Sequence, residues 1–172
     1  FKKVSKYFKN KRVLITGTTG FKGSWLSLWM QYMGANVLGI SNGIISKPSN
    51  FDILNLKKKI KFKKIDIRNY NYLKKQINLF KPDFIFHLAA EAIVKRSYDN
   101  PKYTWETNTI GTLNLLDILK EYKKKVVAVI ITSDKVYKNL EIKRGYKETD
   151  ILGSFDPYSA SKASADLAAQ SY

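Results

Sequence analysis

Apolar positions along this chain fall into short runs separated by polar segments, and their spacing alternates between two periods. Arg12-Val-Leu-Ile-Thr16 is a brief apolar run with basic residues before it and Gly17 after it, which predicts a buried strand. From Phe21 to Met33 the period changes. Phe21, Trp25, Leu28, Trp29, Tyr32 and Met33 recur at intervals of three and four, predicting a helix with one apolar face. That face assigns Trp25 and Trp29 to the core, and Gly34 ends the helix. Val37 to Ile40 predicts a second strand, followed by a loop around Ser46 to Asn50. Ile60 to Ile67 alternates apolar residues with lysine, as a strand more exposed on one side does. Tyr70 to Phe80 reads as helix, stopped before Pro82, and Asp83 to Leu88 as a fourth strand opening onto Ala89 and Ala90. A long helix is expected from Asn100-Pro101 to about Lys123, with proline suited to its first turn. Val126 to Thr132 predicts a fifth strand; a polar loop then runs to Phe155, and Asp156-Pro157 opens a last helix.

Strands alternating with helices at this spacing predict an α/β fold, a doubly wound parallel sheet covered on both faces. No internal repeat, low-complexity tract or linker divides residues 1–172. The last helix has run only about four turns at Tyr172, and the first residue is phenylalanine. The chain therefore reads as a fragment, one dinucleotide-binding domain with a substrate-binding domain expected to follow.

Composition narrows the chemistry. Hydrophobic residues make up 44% and aromatics 13% of the 172 residues, a globular composition. With no cysteine and one histidine, thiolate catalysis, a disulfide framework, a thiolate metal site and a His-rich metal site are excluded; no metal is expected. The longest apolar run, Val126 to Ile131, is far too short for a bilayer. The N-terminus alternates lysine with aromatics and lacks the apolar core of a signal peptide. A cytoplasmic protein without a membrane partner is expected. A net charge of +17 invites a nucleic-acid reading. Against it, only Arg12, Arg68, Arg96 and Arg144 among the 31 basic residues are arginines, and the lysines are dispersed. Nucleic acid is not expected as a partner.

Thr16-Gly-Thr-Thr-Gly-Phe-Lys-Gly23 joins the first strand to the first helix with a G-x-x-G-x-x-G spacing. The first glycine permits a tight turn, the second admits a pyrophosphate to the backbone, and the third lets helix and strand pack closely. Phosphate would then sit on N–H groups at the helix N-terminus. The acidic residue expected about 20 positions on, at the end of the second strand, is absent from Gly39-Ile-Ser-Asn-Gly43. Asn42 is left to meet a ribose hydroxyl. Asp66 either accepts from the adenine amino group or caps the helix that follows.

Ser133-Asp134-Lys135 follows the fifth strand directly, where an open parallel sheet forms its ligand crevice; the plain alternative is ordinary loop polarity. Tyr158 and Lys162 are four apart on the last helix and so share a face. An ammonium there favours the phenolate, which a base working near neutral pH requires. His87, inside a strand, reads as structural, and Arg96 as either a sugar-nucleotide contact or a salt-bridge residue.

Gly17-x-x-Gly-x-x-Gly23, Ser133 and Tyr158-x-x-x-Lys162 resemble the extended short-chain dehydrogenase/reductases. Within them, residues 17–29, His87-Leu-Ala-Ala90, Arg96-Ser-Tyr98, Thr132-Ser-Asp-Lys-Val-Tyr137 and Asp156 to Lys162 are similar to the CDP-glucose 4,6-dehydratases, along essentially the whole chain. The resemblance implies a Rossmann-like fold, bound NAD, a nucleotide-sugar substrate such as CDP-glucose, and a homodimer or higher homo-oligomer. It implies that Tyr158, tuned by Lys162 and bridged by Ser133, takes the proton of the sugar 4-hydroxyl while C4 gives hydride to NAD. Water then leaves from C5 and C6, and the hydride returns to C6. Asp134 would protonate the departing hydroxyl. Lys135, where relatives carry glutamate, would act as a neutral base or as a cation beside the enolate. Gly17, Thr19, Gly20, Phe21, Lys22, Gly23, Asp66, Ile67, Leu88, Ala89, Ala90, Thr107, Tyr158 and Lys162 map to cofactor-binding positions. Glu91 replaces the glutamine expected there. A nucleotide-sugar 4-epimerase needs Ser133, Tyr158 and Lys162 but not the Asp134-Lys135 pair, and a dinucleotide-sensing scaffold needs neither.

Overall fold

In a computed structural model, which describes residues 2–172, the chain alternates strands and helices in the expected sequence. Helix α1 (Lys2–Phe8) leads into β1 (Arg12–Thr16), α2 (Phe21–Tyr32) and β2 (Asn36–Ser41). Two single-turn helices, α3 (Asn50–Ile53) and α4 (Leu56–Lys59), precede β3 (Lys61–Lys64), α5 (Tyr70–Phe80) and β4 (Phe84–His87). Then come α6 (Val94–Asp99), α7 (Pro101–Trp105), a π-helical turn (Glu106–Ile110), α8 (Gly111–Lys120), β5 (Val127–Ile130) and α9 (Pro157–Ser171). The five strands form one sheet in the order β3-β2-β1-β4-β5, every pair parallel. Strand order reverses between β1 and β4. There the two connections leave on opposite faces, and a crevice opens beyond the carboxyl ends of the strands.

Each face of the sheet buries its own core. Leu14, Leu38, Ile40 and Ile85 pack with Leu73 and Ile77 of α5 and Leu115 and Ile118 of α8. On the other face Val13, Ile15 and Val37 pack with Met30 and Met33, joined by Phe8, Phe84 and Phe86. β3 and β5 are the sheet's edges. The predicted third strand is therefore paired only over Lys61–Lys64, and Val127 and Val129 of β5 remain 49% and 38% exposed.

Three expectations are corrected. Trp25 and Trp29 are not core residues: they are 50% and 60% exposed, and Phe21 and Tyr32 are exposed beside them. The side of α2 that meets the sheet instead carries Gly23, Ser24, Ser27 and Met30. Close approach selects small side chains there. A Cβ on Gly23 would lie 2.1 Å from the Gly17 carbonyl oxygen. The hydroxyls of Ser24 and Ser27 are satisfied locally, donating to the Thr18 and Gly23 carbonyls at 2.9 and 2.7 Å. Second, the long helix expected from Asn100 is interrupted by the π turn and ends at Lys120, and α6 precedes it. Third, Asp66 does not cap α5. Asn69 does, its side chain accepting from Tyr72 N–H at 3.1 Å, while Asp66 is bound by Arg68.

No helix among the described residues is long and apolar enough to cross a membrane.

Candidate active site

A cleft of about 780 Å³ opens at the point where strand order reverses. One wall is the loop after β1, with Gly17, Thr19, Gly20, Phe21, Lys22 and Gly23; opposite it stand Leu88, Ala89 and Ala90 after β4. Asp66, Ile67, Thr107, Tyr158 and Lys162 also belong to the lining. All fourteen positions assigned to a cofactor from the sequence thus line one cavity.

The glycine loop fits a dinucleotide by its close approaches. Gly17 sits at φ +74°, where a side chain is strained, and a Cβ there would meet Ala89 N at 2.7 Å. The N–H groups of Phe21, Lys22 and Gly23 occupy the first turn of α2, where no preceding helical carbonyl exists to receive them. They remain available to phosphate oxygens. The buried Thr107 hydroxyl lines the cleft and has no hydrogen-bond partner among the described residues.

Around Asp66 the cleft is built without the expected acid at the end of β2. Ser41 accepts Thr19 N–H at 3.1 Å, and Asn42 Nδ2 donates to Asp66 Oδ2 at 3.0 Å. Burial alone would raise the Asp66 carboxyl, but hydrogen bonds and charge from Arg68 outweigh it and hold it below the usual range. Arg68 also reaches Glu106 at 3.1 Å and lies over the Tyr103 ring.

Helix α9 carries the Tyr158/Lys162 pair to the cleft. Asp156 caps it, accepting Ser159 N–H at 2.9 Å, and Pro157 occupies its first turn. Lys162 is 4% exposed and its ammonium donates to the Ile131 carbonyl at 2.6 Å. Burial pushes its pKa down to about 8, with Asp166 opposing. The cation predominates at neutral pH, and its burial costs stability below pH 8. That cost is relieved between about 8 and 10.5, where the folded form has released a proton that the unfolded form retains. The Tyr158 side chain lines the cleft, with no side-chain hydrogen-bond partner among the described residues.

Ser133, Asp134 and Lys135 stand beside the cleft rather than in its lining. Ser133 accepts Lys135 N–H and donates to Asp134 Oδ1, both at 3.2 Å, at the head of the 3₁₀ turn Asp134–Val136. Asp134 and Lys135 are exposed. Arg96 lines the cleft with no ion pair among the described residues, and Glu91 lines it too. Trp25 and Trp29 have no part in it.

The chain of hydrogen bonds beneath the cleft was not legible from the sequence. Thr112 donates its hydroxyl proton to the Asn108 carbonyl at 2.7 Å, so it accepts from His87 Nε2 at 3.1 Å. His87 Nδ1 then accepts from Thr16 at 2.8 Å, and Thr16 accepts Ala89 N–H at 3.1 Å. The Asn108 side chain, fully buried, accepts Glu91 N–H at 2.8 Å and donates to the Glu91 carbonyl and Ser161 Oγ. Ser161 in turn donates to the Tyr158 carbonyl at 2.7 Å. The π turn is what aims Asn108 at both segments. Its only trace in the sequence is a polar residue inside an apolar helical pattern, followed by Gly111, whose Cβ would lie 2.5 Å from Ile67.

His87 is 1% exposed, and burial, with a contribution from Lys162, pushes its pKa down to about 3. Below pH 6.5 the unfolded chain takes up a proton that the fold refuses. Stability is therefore lost as pH falls from 6.5 towards 3, by about 3 kcal/mol at pH 4 from this group alone. Thermal melts of His87→Gln should show a shallower acid slope between pH 6.5 and 4 than wild type; equal slopes would remove His87 as the cause.

Comparison with known proteins agrees with this architecture. The profile of the family described as GDP-mannose 4,6 dehydratase matches residues 14–172. A CDP-glucose 4,6-dehydratase of Salmonella typhimurium is 43% identical over 166 residues, covering 96% of this chain and 46% of that protein. A UDP-glucuronate 4-epimerase of Thermodesulfobacterium geofontis is 30% identical, covering 92% of this chain and 50% of its own. Among solved structures, UDP-glucose 4-epimerase of Thermus thermophilus in complex with NAD superposes with a TM-score of 0.81 at 29% identity, over 94% of this chain and 50% of that one. The chain spans about half the length of the curated relatives it matches. It belongs to the GDP-mannose 4,6 dehydratase family, within the extended short-chain dehydrogenase/reductases.

Proposed function

We propose that the chain is the NAD-binding part of a nucleotide-sugar 4,6-dehydratase acting on CDP-glucose. The observation that carries this reading is that Tyr158 and the buried Lys162 share a cleft with the glycine loop. The base and sugar are supported by the likeness to the Salmonella enzyme. Bound NAD would supply the hydride acceptor at C4 and the donor at C6. The Tyr158 side-chain oxygen takes the proton of the sugar 4-hydroxyl, with the Lys162 cation lining the same cleft. Ser133, one residue beyond the cleft lining, is the hydroxyl that bridges substrate and phenol once it leaves its own turn. Asp134 protonates the departing 6-hydroxyl and Lys135 serves the loss of the C5 proton, both from the rim.

A second reading, a 4-epimerase, is favoured by one observation: Asp134 and Lys135 lie outside the cleft lining whereas Tyr158 and Lys162 lie within it. The two readings separate by mass. Full-length protein incubated with CDP-glucose should yield a product lighter by one water, with no net consumption of NAD, and should act more slowly on dTDP-glucose. A product of unchanged mass favours the epimerase, and no product from either sugar nucleotide overturns both. Lys135→Met should still oxidise C4 but release no water; unchanged dehydration removes Lys135 from the mechanism.

The cofactor choice rests on Asn42. With one Nδ2 hydrogen donated to Asp66 and the amide held by that bond, Oδ1 stays an acceptor at the other end of the side chain. It suits a ribose 2′-hydroxyl, which donates, and it repels a 2′-phosphate, which only accepts. The chain should bind NAD at least about tenfold more tightly than NADP by titration calorimetry. Asp66→Asn, which frees the amide to turn over, should narrow that ratio. Equal affinities in the wild type would overturn the assignment.

A further inference from the structure

Two hydrogen bonds separate the Asn42 amide, placed above at the ribose 2′-hydroxyl, from a guanidinium. Asp66 Oδ2 accepts from Asn42 Nδ2 at 3.0 Å and from an Arg68 terminal nitrogen at 2.7 Å, so amide and cation meet on one oxygen. In dinucleotide sites an arginine near the ribose is what accommodates a 2′-phosphate. This one is withheld. Arg68 lies outside the cleft lining, in a neighbouring cavity of about 730 Å³ that shares Asp66 with the cleft. Two carboxylates and a ring keep it there. Asp66 accepts from its Nε and one terminal nitrogen, and Glu106 accepts from the other at 3.1 Å. The Tyr103 ring centroid lies 4.4 Å from the guanidinium carbon.

Resting on the reading of the cleft as an NAD site, we infer that Glu106 is a specificity-determining residue: it holds Arg68 back and cancels the charge that a 2′-phosphate would need. Three observations support this role. The first is charge. Asp66 alone would balance Arg68; with Glu106 the group sets two carboxylates against one guanidinium. A 2′-phosphate is repelled by that surplus and a neutral hydroxyl is not. Lys102 does little to offset it, since its ammonium stands 3.9 Å from Glu106 on a side chain 88% exposed, where water screens the pair.

The second is placement. Glu106 opens the π turn, one residue before Thr107 of the cleft lining, while Asp66 and Arg68 follow β3. Asn114, in the helix after that turn, donates to the Ile67 and Arg68 carbonyls, both at 3.1 Å. The backbone under Glu106 and the backbone under Arg68 are thereby fixed to one another. The third is the sequence after β2. Gly39-Ile-Ser-Asn-Gly43 lacks the acid that would meet the 2′-hydroxyl and repel a 2′-phosphate. Asp66 and Glu106 supply that negative charge from two other segments.

The test is titration calorimetry of the full-length protein with NAD and with NADP, which differ only by the 2′-phosphate. Glu106→Gln keeps an acceptor for Arg68 and removes the charge. It should narrow the ratio of NAD to NADP affinity by on the order of tenfold, through tighter NADP. Adding Arg68→Met should abolish that gain. Mere loosening of the π turn would weaken both nucleotides together and would not depend on Arg68. Should the Gln variant fail to fold, Glu106→Ala is measured in the same way. A wild type that prefers NAD, with the same ratio in the Glu106 variant or a gain that survives Arg68→Met, overturns the role of Glu106 alone. A wild type that binds neither nucleotide overturns the reading of the cleft along with it.

Discussion

Tyr158→Phe should lower turnover of the nucleotide sugar by about 100- to 10,000-fold and leave NAD affinity within a factor of about three. The asymmetry follows from placement. The glycine-loop side of the cleft is built from backbone and side chains of the segments after β1 and β4, none of which depends on the phenol. The backbone of Tyr158 is fixed independently, by Ser97 Oγ accepting its N–H at 3.2 Å and by Ser161 donating to its carbonyl. Removing the hydroxyl therefore deletes the proton acceptor without moving the helix. Lys162 gives the pH signature. Its charge is lost as pH rises through about 8, so the wild-type rate should decline on that alkaline limb. Single-turnover oxidation at C4, followed beside equilibrium NAD titration, checks both parts. A variant retaining a tenth or more of wild-type turnover would remove Tyr158 from the chemistry.

Gly23→Ala should be the most damaging change in the glycine loop. The added carbon would lie 2.1 Å from the Gly17 carbonyl oxygen and 2.8 Å from its carbon, both backbone atoms that no rotamer can move. The start of α2 must then lift away from the loop, carrying with it the N–H groups of Phe21, Lys22 and Gly23. A loss of about 1–3 kcal/mol in stability is expected, with at least a 100-fold loss of NAD affinity. Gly145→Ala is the control, since nothing lies within 4 Å of a Cβ there. Chemical denaturation and nucleotide titration of both variants decide the matter; near-equal behaviour would mean that the loop yields more readily than its packing indicates.

Much of the architecture was legible because burial in a parallel sheet leaves coarse marks. β1 and α5 match their expected spans, and the order of strands and helices follows from the alternation of periods. The cleft was legible for the same reason. Most of its expected residues follow strand ends or open α2, where backbone geometry restricts residue choice, while Thr107 lies in the π turn and Tyr158 and Lys162 on α9. What could not be read was side-chain direction under close packing. In α2 the periodicity of large apolar residues marked the outward face, because the sheet-facing side is chosen for smallness rather than hydrophobicity. The π turn was illegible because one extra residue per turn leaves the local composition unchanged. Ser133 illustrates the reverse limit. Its position beside the cleft follows from the sequence, but its hydrogen bonds to Asp134 and Lys135 belong to a 3₁₀ turn that leaves no mark in the apolar pattern.

The chain through His87 has one direction. It begins at the Ala89 amide and ends at the Asn108 carbonyl, and every hydroxyl and ring nitrogen between them has its role fixed by those two ends. Neither end can give up or take on a proton under ordinary conditions. The line is therefore an insulator: it holds the floor of the cleft in place yet carries no proton from one of its ends to the other.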